Sequence, residues 1–258
     1  TGSMSHPQPG KGTKLTYDAI HIIPSQPVMP SSGTSFTKEE AEAEAKRCLR
    51  CTCDACVRHS PLMDYFKKFP RRITEEVEVT INPSTLDGNG TVATRLIASC
   101  DHCGLCREVC PKNIDTGEFL LASHRAMREK GAMPWAFHEF FLRDMEFSNG
   151  EAALVKPAPG YDKSRFMFFP GCQLGASDPR YVTESYRLLL SHQPQTALML
   201  GCCGAPAEWA GDVPLHDTVI NKIREQWISL GRPGAILACP TCRQMLRKYL
   251  PEIECHFI

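Results

Sequence analysis

The chain has 258 residues, 29 Lys plus Arg against 29 Asp plus Glu, and 14 cysteines. Zero net charge removes the basic excess that phosphate binding requires, so nucleic acid is not an expected partner. Hydrophobic residues at 42% and charged residues at 22% describe a globular chain. No apolar run approaches the roughly 20 residues of a membrane helix.

Residues 1–36 are rich in Pro, Gly and Ser and read as an extended arm. Their opening, TGSMSHPQPGKGTK, lacks the apolar stretch of a signal peptide, so a cytoplasmic location is expected. Thr37 and Glu40 form a capping-box pattern. Ala41, Ala45, Cys48 and Leu49 follow at helical spacing, which puts the first cysteines at a helix C-terminus.

Cys48, Cys51, Cys53 and Cys56 then fall within CLRCTCDAC, spaced C-x2-C-x-C-x2-C. Thiols so crowded meet disulfide geometry poorly but can be aimed at one metal centre. Disulfides are also disfavoured in a reducing compartment. Zinc and iron–sulfur both fit this first run.

Residues 61–99 hold short helical stretches and the loop INPSTLDGNG. Gly88, Gly90 and Ala93 match the G-x-G-x-x-A dinucleotide pattern. No clear βαβ unit surrounds them, and the next cysteine loop begins ten residues after Gly90, so a plain turn is the better reading.

The second run, CDHCGLCREVCP, places Cys100, Cys103, Cys106 and Cys110 as C-x2-C-x2-C-x3-C-P. This is the bacterial ferredoxin spacing for a 4Fe–4S cluster, with structural zinc as the alternative. Gly104 lets the loop backbone approach inorganic sulfur, and Pro111 redirects the chain after the last thiol. Two runs of four supply the eight thiolates of two clusters. In the crossed pattern Cys48, Cys51 and Cys53 join Cys110, while Cys100, Cys103 and Cys106 join Cys56. His102 and Arg107 lie inside the second run. Either could raise a cluster potential through charge or an N–H donor, or could be a solvated loop residue.

Residues 117–130 and 134–147 read as amphipathic helices whose aromatics and methionines belong to a core. Residues 148–164 read as a linker. After Ser164, four strand-like runs (RFMFF, TALML, AILA and IECHFI) alternate with helical stretches, including 178–192 and 214–230. That alternation predicts an α/β parallel sheet. The overall expectation is α+β: a mainly helical two-cluster domain over 37–147, then the α/β domain over 165–258.

The remaining cysteines follow these strands. Cys172 lies in PGC, Cys202 and Cys203 in GCCG, and Cys239 and Cys242 in CPTC. Sites in open parallel sheets form outside the carboxyl ends of strands, so distant residues converge there. Buried structural thiols are the alternative. Cys255 lies inside the last run and reads as a core thiol.

The PGC, GCCG and CPTC segments resemble the cysteine-rich CCG domain of heterodisulfide reductase catalytic subunits. The same domain occurs in iron–sulfur subunits of glycerol-3-phosphate and lactate oxidation systems. The stretches EAKRCLRC, HEFFLRDMEFSN, FFPGCQLGAS and LGCCGAPAEWAG resemble oxidoreductases in which the module joins an FAD- and NAD(P)H-binding unit. The resemblance implies two [4Fe–4S] clusters and a third metal centre. Cys172, Cys202, Cys203, Cys239 and Cys242 would hold that centre as a non-cubane [4Fe–4S] cluster, an ordinary [4Fe–4S] cluster or zinc. It implies a flavoprotein or other redox partner, with membrane association at most peripheral and through that partner.

The chain departs from the family pattern in carrying one CCG motif rather than two, and Ser60 where relatives often have a cysteine. By the same pattern Ile258 falls in mid-domain. The leading functional expectation is an iron–sulfur electron-transfer subunit of a multi-subunit oxidoreductase. The alternatives are a disulfide reductase acting at the CCG centre, with His216 and Glu208 relaying protons, and a structural zinc module.

Overall fold

The computed structural model describes residues 27–33, 35–47, 53–81, 93–131 and 137–258. Cys48, Cys51, the Gly88–Gly90 loop and most of the N-terminal arm lie outside the described residues. The fold is α+β, with helices throughout and one mixed five-stranded sheet. It divides into two compact units. One comprises Thr1–Leu96 and Gly104–Phe119, the other Ile97–Cys103 and Leu120–Ile258.

The first unit is helical. α1 (Lys38–Lys46) opens with the expected capping box: Thr37 Oγ1 accepts from the Glu40 N–H, and the Glu40 carboxylate accepts from the Thr37 N–H. The same helix holds the end of the arm. Its Glu44 and Glu40 carboxylates accept from the Val28 and Ser31 N–H groups at 2.7 and 3.0 Å. α2 (Ala55–His59) and α3 (Pro61–Phe66) meet at Ser60, whose hydroxyl caps α3 by accepting from the Met63 N–H. Pro61 at the first helical position needs no partner for an N–H it lacks. α4 (Pro70–Ile81) buries Ile73 and Val77 at i, i+4 spacing. α5 (Thr94–Ala98) and α6 (Leu105–Glu108) bracket the start of the second cysteine run.

The second unit holds residues 97–103, most of α7 (Thr116–Glu129), α8 (Glu139–Asn149) and β1 (Leu154–Lys156). Then follow β2 (Phe166–Phe169), α9 (Cys172–Ser177), α10 (Arg180–His192), β3 (Thr196–Leu200), α11 (Ala205–Trp209) and α12 (Val213–Ser229). β4 (Gly234–Leu237), α13 (Pro240–Tyr249) and β5 (Cys255–Phe257) complete it. The four expected strands form and run parallel, in the order β3-β2-β4-β5. The sheet is nonetheless mixed. Leu154–Lys156, inside the stretch expected to be a linker, adds β1 antiparallel to β3, with Val155 opposite Met199. Three residues suffice for an edge strand, too few for a period-2 pattern to show in the sequence.

Both faces of the sheet are covered, which is why β2 and β4 read as continuous apolar runs. Met167 and Phe169 point into a core shared with α8, α11, α12 and α13, where Trp227, Ile223, Leu246 and Met245 are buried. Phe168, fully buried and not part of that core, stacks on Tyr186 of α10. Burial of each such aromatic contributes roughly 1.5–3 kcal/mol. The chain leaves β2 for β3 on one side and returns to β4 on the other, so the strand order reverses beside the C-terminal end of β2. That is the switch point at which sheets of this kind build their sites.

Candidate metal centres

The five scattered cysteines meet at that switch point. Cys172 follows β2, Cys202 and Cys203 follow β3, and Cys239 and Cys242 follow β4. Cys172 Sγ lies 3.7 Å from Cys202 Sγ. Cys203 contacts Cys202 and Cys242, and Cys242 contacts Cys239, so the thiols form a chain of pairs. Cys202, Cys203 and Cys242 are buried, while Cys172 and Cys239 are half-buried. Among the described residues, no three His, Cys, Asp or Glu side chains surround a point suited to a single metal ion.

Gly171 permits the convergence. It holds φ +79, ψ 168, a conformation essentially confined to glycine. A Cβ there would lie 2.9 Å from Cys242 Sγ and 3.4 Å from the Cys239 Cβ. The loop after β2 thus approaches CPTC through space that only a missing side chain leaves open. Gly204, at φ +88, turns the chain into α11 directly after Cys203.

The electrostatics follow from these contacts. Cys239 occupies the N-cap of α13 and is lowered to about 5, first by its contact with Cys242 and then, against burial, by the Cys242 and Thr241 N–H groups. Contacts with Cys202 and Cys242 hold Cys203 well below the ordinary thiol value. Contacts with Cys203 and Cys239, and then burial, push Cys242 up. Cys172 is raised by Cys202 and by burial. Cys202 is lowered by Cys172, but its contact with Cys203 and its burial outweigh that and push it up to about 12. Some thiols are therefore poised as thiolates while neighbours resist ionisation, a donor set that a cationic iron core would suit.

Asn149, at the end of α8, is a contributor that the sequence did not mark. Its Oδ1 accepts from the Cys202 N–H at 2.8 Å and would lie 3.0 Å from a Cβ on Gly201. Its Nδ2 is buried without a hydrogen-bond partner. The only signal for it is its place at the end of HEFFLRDMEFSN. Gln173 Nε2 lies 3.8 Å from Cys172 Sγ and donates to Asp144 at 2.9 Å.

The candidate proton carriers have partners of their own. Glu208 is buried and accepts from Lys248 Nζ at 3.2 Å and from the Tyr249 hydroxyl. His216 is buried edge-on to Tyr249, with ring centroids 4.3 Å apart, and burial lowers its pKa. Cys255 packs against the core as expected, and burial pushes its thiol up.

In the first unit, Cys53, Cys56, Cys106 and Cys110 all line one cavity of about 690 Å³, together with Pro111, Ile114 and Thr116. Both cysteine runs contribute to it, as crossed ligation requires. α2, which carries Cys56, packs against α6, which carries Cys106. Burial first, then Cys106, Cys110 and Cys53, push Cys56 up to about 11. Arg47 closes this region, donating to the Lys112 carbonyl at 2.8 Å and pairing with Glu44.

Cys100 and Cys103 belong to the second unit. Between and beyond them, His102 holds φ +54 and Gly104 φ +78, both left-handed, on either side of Cys103. Two left-handed residues so close together bend the loop sharply around Cys103. The solvated reading of His102 is overturned, because it is buried. Arg107 does take it: the side chain is largely exposed and pairs with Asp115 at 3.4 Å and Glu108 at 3.3 Å.

With this geometry in view, the comparisons define a class. A model of the 4Fe-4S dicluster domain matches residues 47–115, a span holding every cysteine of the first two runs. The chain is also similar to a subunit of the fumarate reductase (CoM/CoB) of Methanothermobacter marburgensis, at 27% identity over 164 residues. That match covers 59% of this chain and 32% of the relative, so it spans about a third of the relative's length. No solved structure matches significantly. Together these findings support an iron–sulfur oxidoreductase subunit. Among the described residues, no helix is long and apolar enough to cross a membrane.

Proposed function

We propose that the chain is the electron-transfer subunit of a multi-subunit oxidoreductase, holding two [4Fe–4S] clusters and a third iron–sulfur centre. The observation that carries this reading is the cavity lined by thiols from both cysteine runs, inside the span that matches a dicluster domain. Cys48, Cys51 and Cys53 with Cys110 would hold one cluster, and Cys100, Cys103 and Cys106 with Cys56 the other. Cys172, Cys202, Cys203, Cys239 and Cys242 would hold the third. When bound, these groups supply one-electron relay positions.

The chain's own residues do the rest. Cys202, Cys203 and Cys242 are buried and form the inner side of the third site, and Gly171 lets its two loops close. Asn149 fixes the Cys202 backbone. The reading needs a redox partner of FAD/NAD(P)H flavoprotein type. It is consistent with the relative's name, which is that of a subunit of a reductase.

A second reading, reduction of a disulfide at the CCG centre, is favoured by the half-buried Cys172 and Cys239, which leave that site open to solvent.

Metal and acid-labile sulfide analysis of anaerobically purified protein tests the proposal. About twelve irons per chain are expected for three 4Fe–4S centres. About eight irons and one zinc would replace the third iron–sulfur centre with a structural metal. Zinc without iron would overturn the reading.

A further inference from the structure

The loop that opens the second cysteine run is built into the same compact unit as the five-cysteine site. Gln244 Nε2 donates to the His102 carbonyl at 2.7 Å. Gln244 stands two residues beyond Cys242 on α13, and His102 stands between Cys100 and Cys103. The His102 ring is buried, as are His124 and His138 of the same unit. α7, which carries His124, in turn backs onto the segment that follows the paired cysteines. A Cβ on Gly211 would lie 3.2 Å from the His124 carbonyl oxygen, and Arg128 pairs with Asp212.

The backbone points the same way. His102 holds φ +54, a conformation that costs a non-glycine residue free energy and persists where the surroundings over-determine it. The buried ring and the bond from Gln244 supply that constraint. The helix that begins in CPTC therefore grips the middle of the CDHC loop by its carbonyl.

We infer that the centre to which Cys100 and Cys103 belong is the immediate redox neighbour of the five-cysteine centre, and that Gln244 is a positioning residue that fixes their spacing. The inference rests on the iron–sulfur reading above. The step is one electron: the donor centre is oxidised by one as its neighbour is reduced by one. No bond forms or breaks and no proton moves. The electron is supplied by the flavoprotein partner or, in the test, by dithionite.

Full-length, iron-loaded protein reduced stepwise with dithionite tests this by EPR, reading the spin–spin splitting of the five-cysteine signal. Iron and zinc are counted for each variant first. Cys51→Ser is expected to keep the splitting and Cys103→Ser to lose it. Gln244 is exposed, so Gln244→Met is expected to leave the fold intact. It is expected to weaken the splitting and shift the second-run potential, while Gln244→Lys, which restores a donor, recovers both. A merely structural contact would move neither. Splitting that survives Cys103→Ser and vanishes in Cys51→Ser overturns the inference and leaves the function standing, as does a Gln244→Met protein identical to the parent. A parent protein with no iron in the five-cysteine site overturns the function and the inference with it.

Discussion

The two cysteine runs near the N-terminus and the five cysteines of the sheet gather thiols by opposite means. The runs are local. Their spacing places four thiols on one short stretch of chain, and a helix pair brings Cys56 and Cys106 to the same cavity. The five-cysteine site is topological. Its members come from the ends of three strands, and no two of its three segments are closer than 29 residues in sequence. A local site draws most of its thiols from one loop. A topological site depends on the whole sheet, so a change at a crossing point should cost far more there.

Gly171 is that crossing point. Gly171→Ala places a methyl 2.9 Å from Cys242 Sγ at a φ of +79. Gly160 has a similar φ of +82, but a Cβ there meets nothing within 4 Å. Strain acts at both positions, overlap only at the first. Gly171→Ala is expected to cost roughly 3 kcal/mol or more and to lose the iron of the third centre. Gly160→Ala is expected to cost about 1 kcal/mol and to lose none. Urea unfolding and iron counts on the two proteins check this, and equal losses would show that crowding at CPTC is not what Gly171 relieves.

The same contrast explains what the sequence revealed. The ferredoxin spacing names its own thiols, because ligands on one loop leave a fixed pattern. The topological site was legible only through the alternation of strand and helix, which predicted that segments ending in PGC, GCCG and CPTC share one edge. Asn149 could not be read this way. Its contact with the Cys202 N–H arises from how α8 packs on the sheet, and packing leaves no periodic trace. β1 was hidden because three residues carry no period, and its neighbours read as linker. The burial of His102 left no mark in the sequence, and the residue that holds its carbonyl, Gln244, lies 142 positions away.

A second prediction concerns the helices that back the topological site. His124 is fully buried, its ring 4.9 Å from that of His138, and neither of its ring nitrogens has a hydrogen bond. Burial, then the neighbouring His138 and His102, lower it to about 3, and burial then Arg128 lower His138 to about 4. The unfolded chain takes up these protons near pH 6.5 while the folded chain refuses them. Stability is therefore full above about pH 6.5 and falls as pH drops towards the folded values, by up to about 1.4 kcal/mol per pH unit for each histidine. His124→Leu is expected to remove one proton's share of that slope, read from unfolding free energies between pH 7.5 and 5.5. An unchanged slope would mean that His124 is protonated in the folded protein.

The smallest effect is expected in the local region, at Ser60. The resemblance read from the sequence implies a cysteine at this position, so Ser60→Cys asks whether the first run lacks a ligand. In this chain the position already has a task. Ser60 is buried, its N–H donates to the Cys56 carbonyl, and its hydroxyl caps α3 by accepting from the Met63 N–H. Sulfur is a weak acceptor, so Ser60→Cys gives up that cap and is expected to cost about 1 kcal/mol. The proposed crossed pattern would provide four thiolates for each of two clusters, and four of those eight thiols line one cavity without help from position 60. The iron count of Ser60→Cys should therefore equal that of the parent, as should that of Ser60→Ala. A gain of iron in the cysteine variant would show that the first run is incomplete as it stands, and that the local site, like the topological one, is finished by a residue its spacing does not reveal.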